Sequence, residues 1–277
     1  MAARGNEYLF DKFFNSQIAD TATFLMFGLM KKIGAFIPNL ITLLNLSAGV
    51  VAIFCAIYGD MGRAAIFIGF AAVFDFLDGF FARLLKAYSA IGKELDSLAD
   101  VVSFGVAPSA VMFTLMQRTL FGEIIPIYQI DAPAWQWAFM LGALLIPAFS
   151  AYRLAKFNLD TQQSENFLGM PTPANAILWA SFGLMTAYAN NEPLMLVLFK
   201  PGNLLVAAVV TSLLLVSEIP MFSLKFRNFD FFGNWYRYVF LLAALLLIIF
   251  TGIYAISIIM LLYITLSISF YLLKAKL

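Results

Sequence analysis

Four aspartates, Asp75, Asp78, Asp96 and Asp100, interrupt an otherwise apolar part of the sequence. A helix turns about 100° per residue, so Asp75 and Asp78 fall on one side of a helix, and Asp96 and Asp100 fall within about 60° of each other on the next. A short turn between two helices makes them antiparallel neighbours. We therefore expect the four carboxylates to converge on one cavity.

These carboxylates require positive charge nearby, because one charge at the centre of a bilayer costs about 2.5–3.5 kcal/mol. Arg83 is the only arginine close to them in sequence, and the chain contains no histidine. Oxygen ligands alone favour a hard divalent ion such as Mg²⁺, Mn²⁺ or Ca²⁺. Several carboxylates can hold two ions about 3.5–4 Å apart, the separation used for displacement at phosphorus. The alternative is that individual aspartates cap helices or lie in headgroup water, which explains one aspartate more readily than four.

Two glycines accompany the aspartates. Gly79 lies on the same helical arc as Asp75 and Asp78, and Gly92 precedes Asp96 by four residues. A glycine lets a bulky polar group approach the backbone. The alternatives are helix packing for Gly79 and a helix C-cap or loop for Gly92.

The composition places these residues in a membrane protein. Of the 277 residues, 62% are hydrophobic and 12% are charged, against about 25% charged residues in soluble domains. The net charge of +1 gives no reason to expect nucleic acid as a partner. The single Cys55 lies in an apolar run and is expected to be a packing residue.

The predicted fold class is all-α, a polytopic membrane bundle of about eight transmembrane helices. An N-terminal interfacial amphipathic segment, residues 1–36, precedes a transmembrane catalytic domain, residues 37–277. The predicted spans lie near residues 37–59, 63–87, 95–117, 134–157, 172–189, 198–217, 236–254 and 256–274.

Basic residues predict the orientation. With both termini in the cytoplasm, 14 of the 17 Lys and Arg residues face inward and only Arg63, Arg118 and Lys200 face outward. The aspartate cluster then lies at the cytoplasmic face. We expect an integral protein of the cell membrane, which in a prokaryote is the inner or plasma membrane.

The aspartate stretch reads D-x2-D-G-x2-A-R-x8-G-x3-D-x3-D from Asp75 to Asp100. This pattern resembles the signature of the CDP-alcohol phosphatidyltransferases. The segment IPNLITLLNLSAG, from Ile37 to Gly49, resembles the opening of that family's first helix. Three weaker stretches are similar to the family's phosphatidylserine synthase branch: SFGVAPS (103–109), YRLAKFN (152–158) and FLGMPTP (167–173).

The resemblance implies transfer of a phosphatidyl group from CDP-diacylglycerol to an alcohol, with release of CMP. It implies that Asp75, Asp78 and Asp96 ligate two metals, Mn²⁺ or Mg²⁺, and that Asp100 activates the acceptor hydroxyl, with a further ligand role open. It also implies that Arg83 lies near the diphosphate or cytidine, and that Gly79 and Gly92 border the nucleotide. A homodimer is expected on the same ground.

Other substrate contacts are predicted from position. Asn39 and Thr42 share one side of the first helix and could reach cytidine or phosphate; helix capping is the alternative for Asn39. Arg153 and Lys156 end the fourth span and could hold the carboxylate of L-serine; the alternative is that both only mark the inner leaflet. Ser103, on the face of Asp96 and Asp100, is the remaining acceptor candidate.

The expected function is therefore a direct transfer of phosphatidyl from CDP-diacylglycerol to L-serine, because no histidine is available for a covalent intermediate. One alternative is the same chemistry with glycerol 3-phosphate or inositol phosphate, which should require a denser basic pocket. Another is an ion-coupled transporter, whose site should lie near the bilayer midplane on broken helices. A third is a scaffold without catalysis.

Overall fold

The structure is a computed structural model and describes residues 36–159, 167–222 and 230–273. Eleven α-helices lie within these ranges. They are α1 (Phe36–Ile57), α2 (Met61–Leu84), α3 (Ala90–Asp100), α4 (Ala107–Phe121), α5 (Ala134–Leu141), α6 (Leu145–Leu159), α7 (Thr172–Tyr188), α8 (Glu192–Leu198), α9 (Pro201–Val216), α10 (Phe231–Thr251) and α11 (Ala255–Leu272). The predicted amphipathic segment falls almost wholly outside the described residues.

The architecture is a polytopic membrane bundle, as predicted. Five helical runs of the described residues are long and apolar enough to cross a membrane: Phe36–Ile57, Met61–Leu84, Ala90–Phe121, Ala134–Leu159 and Gly233–Leu272. A sixth results if α8 and α9, which meet at a bend of 57°, form one broken span.

Two differences separate this number from the eight predicted spans. The helix α7 has 17 residues, fewer than the roughly 20 that a full crossing needs. The 40-residue run Gly233–Leu272 folds back on itself, because Tyr236 of α10 packs on Phe270 of α11 and Phe240 packs on Tyr263. These pairs make α10 and α11 antiparallel. A total of eight crossings remains a prediction.

A tight turn joins α2 to α3. The α2 backbone ends with hydrogen bonds from Lys86 N to Arg83 O (3.2 Å) and from Ala87 N to Ala82 O (3.0 Å), and Lys86 adopts a left-handed conformation with φ +50°. Ser89 then caps α3 by accepting a hydrogen bond from Gly92 N at 2.9 Å. This turn makes α2 and α3 antiparallel and defines what we call the site end of the bundle.

The observed α3 begins earlier than the predicted span at residue 95. Its first turns are polar, with Lys93 and Glu94 exposed, so hydropathy alone does not detect them. Gly92 consequently lies inside the first turn of α3, and the interpretation of this residue as a C-cap or loop is wrong.

The helix continues from α3 into α4 through a π-helical segment, Val101–Val106, in which Ala107 N donates to Val102 O. Pro108 follows directly, and a proline ring would clash with the carbonyl four residues earlier in a regular α-helix. The wider π turn removes that clash. It also changes the direction of the side chains after Asp100.

The core lies where α2, α4, α6, α7 and α9 meet, around fully buried residues such as Ile68, Phe104, Met112 and Trp179. The helix α7 lies antiparallel against α2, since a Cβ on Gly183 near the end of α7 would lie 3.1 Å from the carbonyl oxygen of Met61 at the start of α2. Close approach of the two helices brings the first turn of α7 to the site end.

A short antiparallel pair of strands lies at the same end. Strand β1 (Phe167–Leu168) pairs with β2 (Pro220–Met221), and Met170 N donates to Leu214 O at 2.9 Å. Gly169 has φ +74°, and a side chain there would lie within 2.9 Å of Ser217 O. The chain entering α7 is thereby attached to the end of α9.

Candidate active site

Three of the predicted carboxylates meet at the site end. Asp75 and Asp78 come from α2 and Asp96 from α3, and each places an oxygen within 4.8 Å of the others. Asp78 is buried, and Asp75 and Asp96 are half-buried. The antiparallel turn described above produces this convergence, as the spacing predicted.

A residue of α1 forms a hydrogen bond with one of these carboxylates. The Thr42 hydroxyl donates to Oδ2 of Asp78 at 2.7 Å, and it also lies 3.1 Å from the carbonyl oxygen of Pro38. Thr42 is itself buried. Thr42, predicted to reach cytidine or phosphate, thus contacts a carboxylate of the triad.

Asp100 is next to this group without being one of its three members. It is buried, lies beside Asp75, and accepts a hydrogen bond from Nδ2 of Asn45 at 3.3 Å. The structure thus places Asp100 against Asp75, a member of the triad, and gives it a carboxamide partner.

The triad has the properties of a site for a hard divalent cation. Its donors are all carboxylate oxygens, Oδ1 of Asp96 is buried without a hydrogen-bond partner, and none of the ion pairs found among the described residues neutralises it. Buried like charges without counterions are strongly unfavourable, so the donor set fits a bound Mg²⁺ or Mn²⁺. Asp75, Asp78 and Asp96 would hold it.

The other predicted nucleotide contacts border the triad. The Arg83 guanidinium lies over Gly79, where an added Cβ would be 3.5 Å from Nη1, and it interacts electrostatically with Asp78. An added Cβ on Gly92 would be 2.9 Å from Oδ1 of Asn39. Gly79, Arg83, Gly92 and Asn39 therefore line the same end of the bundle as the aspartates.

The three acceptor candidates differ in placement. Arg153 is half-buried, interacts electrostatically with Asp100, and leaves its Nε without a partner. Lys156 is exposed and pairs with Glu218 at 3.8 Å. Ser103 is fully buried and donates its hydroxyl to Asn45 O at 3.0 Å, which joins the π segment to α1. Of the three, only Arg153 interacts electrostatically with Asp100.

Sequence reasoning missed Asn45. Asn39, Thr42 and Asn45 follow one another at intervals of three along α1. Polar side chains that repeat in this way within an apolar span indicate a functional site, and this pattern could have identified Asn45. It also missed Asn175 of α7, which is fully buried with neither carboxamide atom partnered.

The fold and the site are those of a helical membrane enzyme whose carboxylate triad is suited to bind a divalent metal ion. Residues 35–214, more than half of the chain, match the family model for CDP-alcohol phosphatidyltransferase. The chain belongs to this family of phospholipid-synthesising transferases, whose substrates are a CDP-linked lipid and an alcohol.

Three similar proteins carry names that specify an acceptor. The CDP-diacylglycerol–serine O-phosphatidyltransferase of Bacillus subtilis is 38% identical over 138 residues, which cover 50% of this chain and 70% of that protein. The archaetidylserine synthase of Methanothermobacter thermautotrophicus is 34% identical over 164 residues, covering 58% and 64%. The Mycobacterium leprae CDP-diacylglycerol–serine O-phosphatidyltransferase is 36% identical over 198 residues, covering 67% and 57%.

Proposed function

We propose that this protein transfers the phosphatidyl group from CDP-diacylglycerol to the hydroxyl of L-serine, forming phosphatidylserine and CMP. The observation that carries the proposal is the meeting of a triad of carboxylates, Asp75, Asp78 and Asp96, with a neighbouring Asp100 that Asn45 binds. A displacement at phosphorus needs both parts, because charge must be stabilised on the diphosphate while a proton leaves the attacking hydroxyl.

The triad is the proposed metal site. Bound Mg²⁺ or Mn²⁺, as one ion or a pair, would supply positive charge for the diphosphate and its leaving oxygen. Thr42 fixes the orientation of one ligand, Asp78, through the 2.7 Å hydrogen bond. Arg83, exposed at the edge of the triad, is suited to bind a phosphate or the cytidine of the donor.

Asp100 is the proposed general base. The serine hydroxyl attacks the phosphorus attached to diacylglycerol, the bond from that phosphorus to the CMP oxygen breaks, and Asp100 accepts the hydroxyl proton. The Asn45 hydrogen bond orients the carboxylate for this transfer. No residue is covalently modified, which accords with a chain that contains no histidine.

Serine as the acceptor is supported by charge and by the relatives. Arg153 is the only basic side chain among the acceptor candidates that reaches Asp100, whereas a phosphorylated acceptor carries two negative charges and favours several cations. The names of the three relatives above share serine and differ in the lipid.

We also propose that the site end faces the cytoplasm, because the basic residues of the sequence concentrate on that side. Both termini would then be cytoplasmic, and residues 1–36 would lie along the membrane surface in front of the catalytic domain at 37–277. The dimer expected from the family resemblance stays a prediction.

The test is release of CMP by the purified full-length chain in detergent, with CDP-diacylglycerol and Mn²⁺ or Mg²⁺. Release should require both the metal and L-serine and should disappear in Asp100→Asn. Glycerol 3-phosphate and inositol phosphate are run in parallel. Release with one of these acceptors and none with serine would overturn the serine assignment while retaining the class of reaction.

A further inference from the structure

Polar side chains near the aspartates are buried without hydrogen-bond partners. Four such residues lie at this end of α6 and α7: Ser150 (hydroxyl) and Arg153 (Nε) on α6, and Thr172 (hydroxyl) and Asn175 (both polar atoms) on α7. Nε1 of Trp179, one turn further along α7, also lacks a partner. Ser150 and Asn175 are completely buried, and Thr172 is nearly so. Folded proteins rarely leave such groups unpaired, because the unmade hydrogen bonds reduce stability. A ligand that pairs with them would account for all four.

The packing of α6 on the π segment determines where Ser150 and Arg153 lie. An added Cβ on Gly105 would be 3.3 Å from Cβ of Ser150 and 3.2 Å from Cα of Pro147, so α6 crosses the π segment at this glycine. Arg153 follows Ser150 by about one helical turn and interacts electrostatically with Asp100. This edge of α6 therefore runs along the helix that carries Asp100.

The α7 members are placed by the packing of α7 on α2. Near the end of α7, an added Cβ on Gly183 would be 3.8 Å from Cβ of Ala65. Thr172 lies about three turns earlier, on the same face as Gly183 to within about 20°. Because α2 and α7 are antiparallel, a step of about three turns from Ala65 towards the C-terminal end of α2 leads to the level of Asp75. Thr172 is thus level with the triad, and Asn175 is about one turn deeper.

Asn175 lies inside the bundle, beside the face of α7 that packs on α2. It lies about 80° around α7 from Gly183, and α7 packs on the π segment as well as on α2. Its complete burial excludes the lipid-facing side of α7. The side chains of α6 and α7 that lack partners consequently lie on the two helices that pack on the π segment after Asp100.

The chemistry of these groups fits a small zwitterion. Arg153 offers one guanidinium for a carboxylate, while Asn175 Oδ1 and the two hydroxyls are neutral acceptors suited to an ammonium group. We propose that Asn175, assisted by Thr172 and Ser150, binds the α-ammonium group of the amino-acid acceptor while Arg153 binds its carboxylate. The acceptor hydroxyl is then presented to Asp100. This inference rests on the proposed function and adds the residues that select the acceptor.

The decisive variant is Asn175→Leu, which keeps the side-chain volume and removes both polar atoms. The KM for L-serine should rise by about tenfold or more, the effect of losing one hydrogen bond to a charged group, while the KM for CDP-diacylglycerol changes by less than about twofold. Inhibition by 3-hydroxypropionate, which has the carboxylate and hydroxyl of serine and no ammonium group, should be unchanged. Melting temperature should rise, because two unpaired buried atoms are removed.

Ser181→Ala is the matched control. Ser181 is buried on the same helix, but its hydroxyl lies 2.7 Å from the hydroxyl of Ser257 on α11, so this variant should lower the melting temperature and leave the KM for L-serine unchanged. An Asn175→Leu protein with unaltered KM for L-serine, or with a lowered melting temperature and equal losses for both substrates, would overturn the assignment. Failure of the proposed function itself is distinct, because the unmodified protein would then release no CMP with serine.

Discussion

Nδ2 of Asn45 lies 3.3 Å from Oδ1 of Asp100, so a residue of the first helix orients a carboxylate of the third. The same residue accepts the Ser103 hydroxyl at its backbone carbonyl, at 3.0 Å. Asn45 thus makes two hydrogen bonds, one through its side chain and one through its backbone carbonyl. Together they hold α1 against the helical run that carries the proposed base.

Replacing Asn45 should impair turnover more than donor binding. In Asn45→Leu the hydrogen bond to Asp100 is lost and the side-chain volume is kept, so kcat should fall by about ten- to a hundredfold, the range expected for a hydrogen bond to a charged group. The KM for CDP-diacylglycerol should be nearly constant. Steady-state CMP release measures kcat and KM.

Ser47→Ala is the control for this prediction, since Ser47 is exposed on α1 and its hydroxyl donates to Leu43 O of its own helix. Equal losses in the two variants would contradict an orienting role for Asn45.

Thr42 should affect the metal requirement. Thr42→Val removes the 2.7 Å donor to Asp78 and preserves the shape of the side chain, so one ligand becomes less well oriented. We expect the Mn²⁺ concentration for half-maximal activity to rise by about tenfold. Thr42→Ser retains the hydroxyl and should remain close to the unmodified protein. If Val and Ser variants require the same Mn²⁺ concentration, the hydroxyl does not orient the ligand.

Variants of Asp96 and Asp100 should distinguish metal binding from catalysis. Asp96→Asn removes a triad ligand and should weaken Mn²⁺ binding, measured directly by electron paramagnetic resonance of free Mn²⁺. Asp100→Asn should retain Mn²⁺ binding within a few-fold and lose about 10²–10⁴-fold in kcat, the usual contribution of a general base. Loss of Mn²⁺ binding in Asp100→Asn would instead assign Asp100 to the metal.

Gly49 should be intolerant of a side chain. An added Cβ would lie 2.7 Å from Cα of Ser103, a backbone atom that cannot move independently, so Gly49→Ala should destabilise the protein by about 1–3 kcal/mol and displace Asn45 from Asp100. Gly69→Ala on α2 is the matched control, because nothing lies within 4 Å of its added Cβ. That change should stabilise the helix by about 0.5–1 kcal/mol. Thermal unfolding in detergent compares the two; equal shifts would contradict close packing at Gly49.

Composition and helical periodicity predicted the membrane class, the approximate bounds of α1 and α2, and the meeting of Asp75, Asp78 and Asp96. These features depend on composition and on helical periodicity, which are local properties, together with one short turn. The spacing also indicated Asp100, Thr42 and the glycines, because each lies within a few residues of the signature or on one side of a single helix.

The identity of the helices that complete the site depends on how the whole bundle packs. Asn45 meets Asp100 because Gly49 lets α1 approach the π segment closely, and no local pattern encodes that distance. Arg153 and Lys156 are one turn apart in sequence, yet Arg153 interacts electrostatically with Asp100 and Lys156 pairs with Glu218. The proposed contribution of Asn175 and Thr172 likewise depends on the antiparallel packing of α7 on α2. Side-chain direction depends on the neighbouring helix, and the choice of neighbour is set by long-range packing that hydropathy and spacing do not specify.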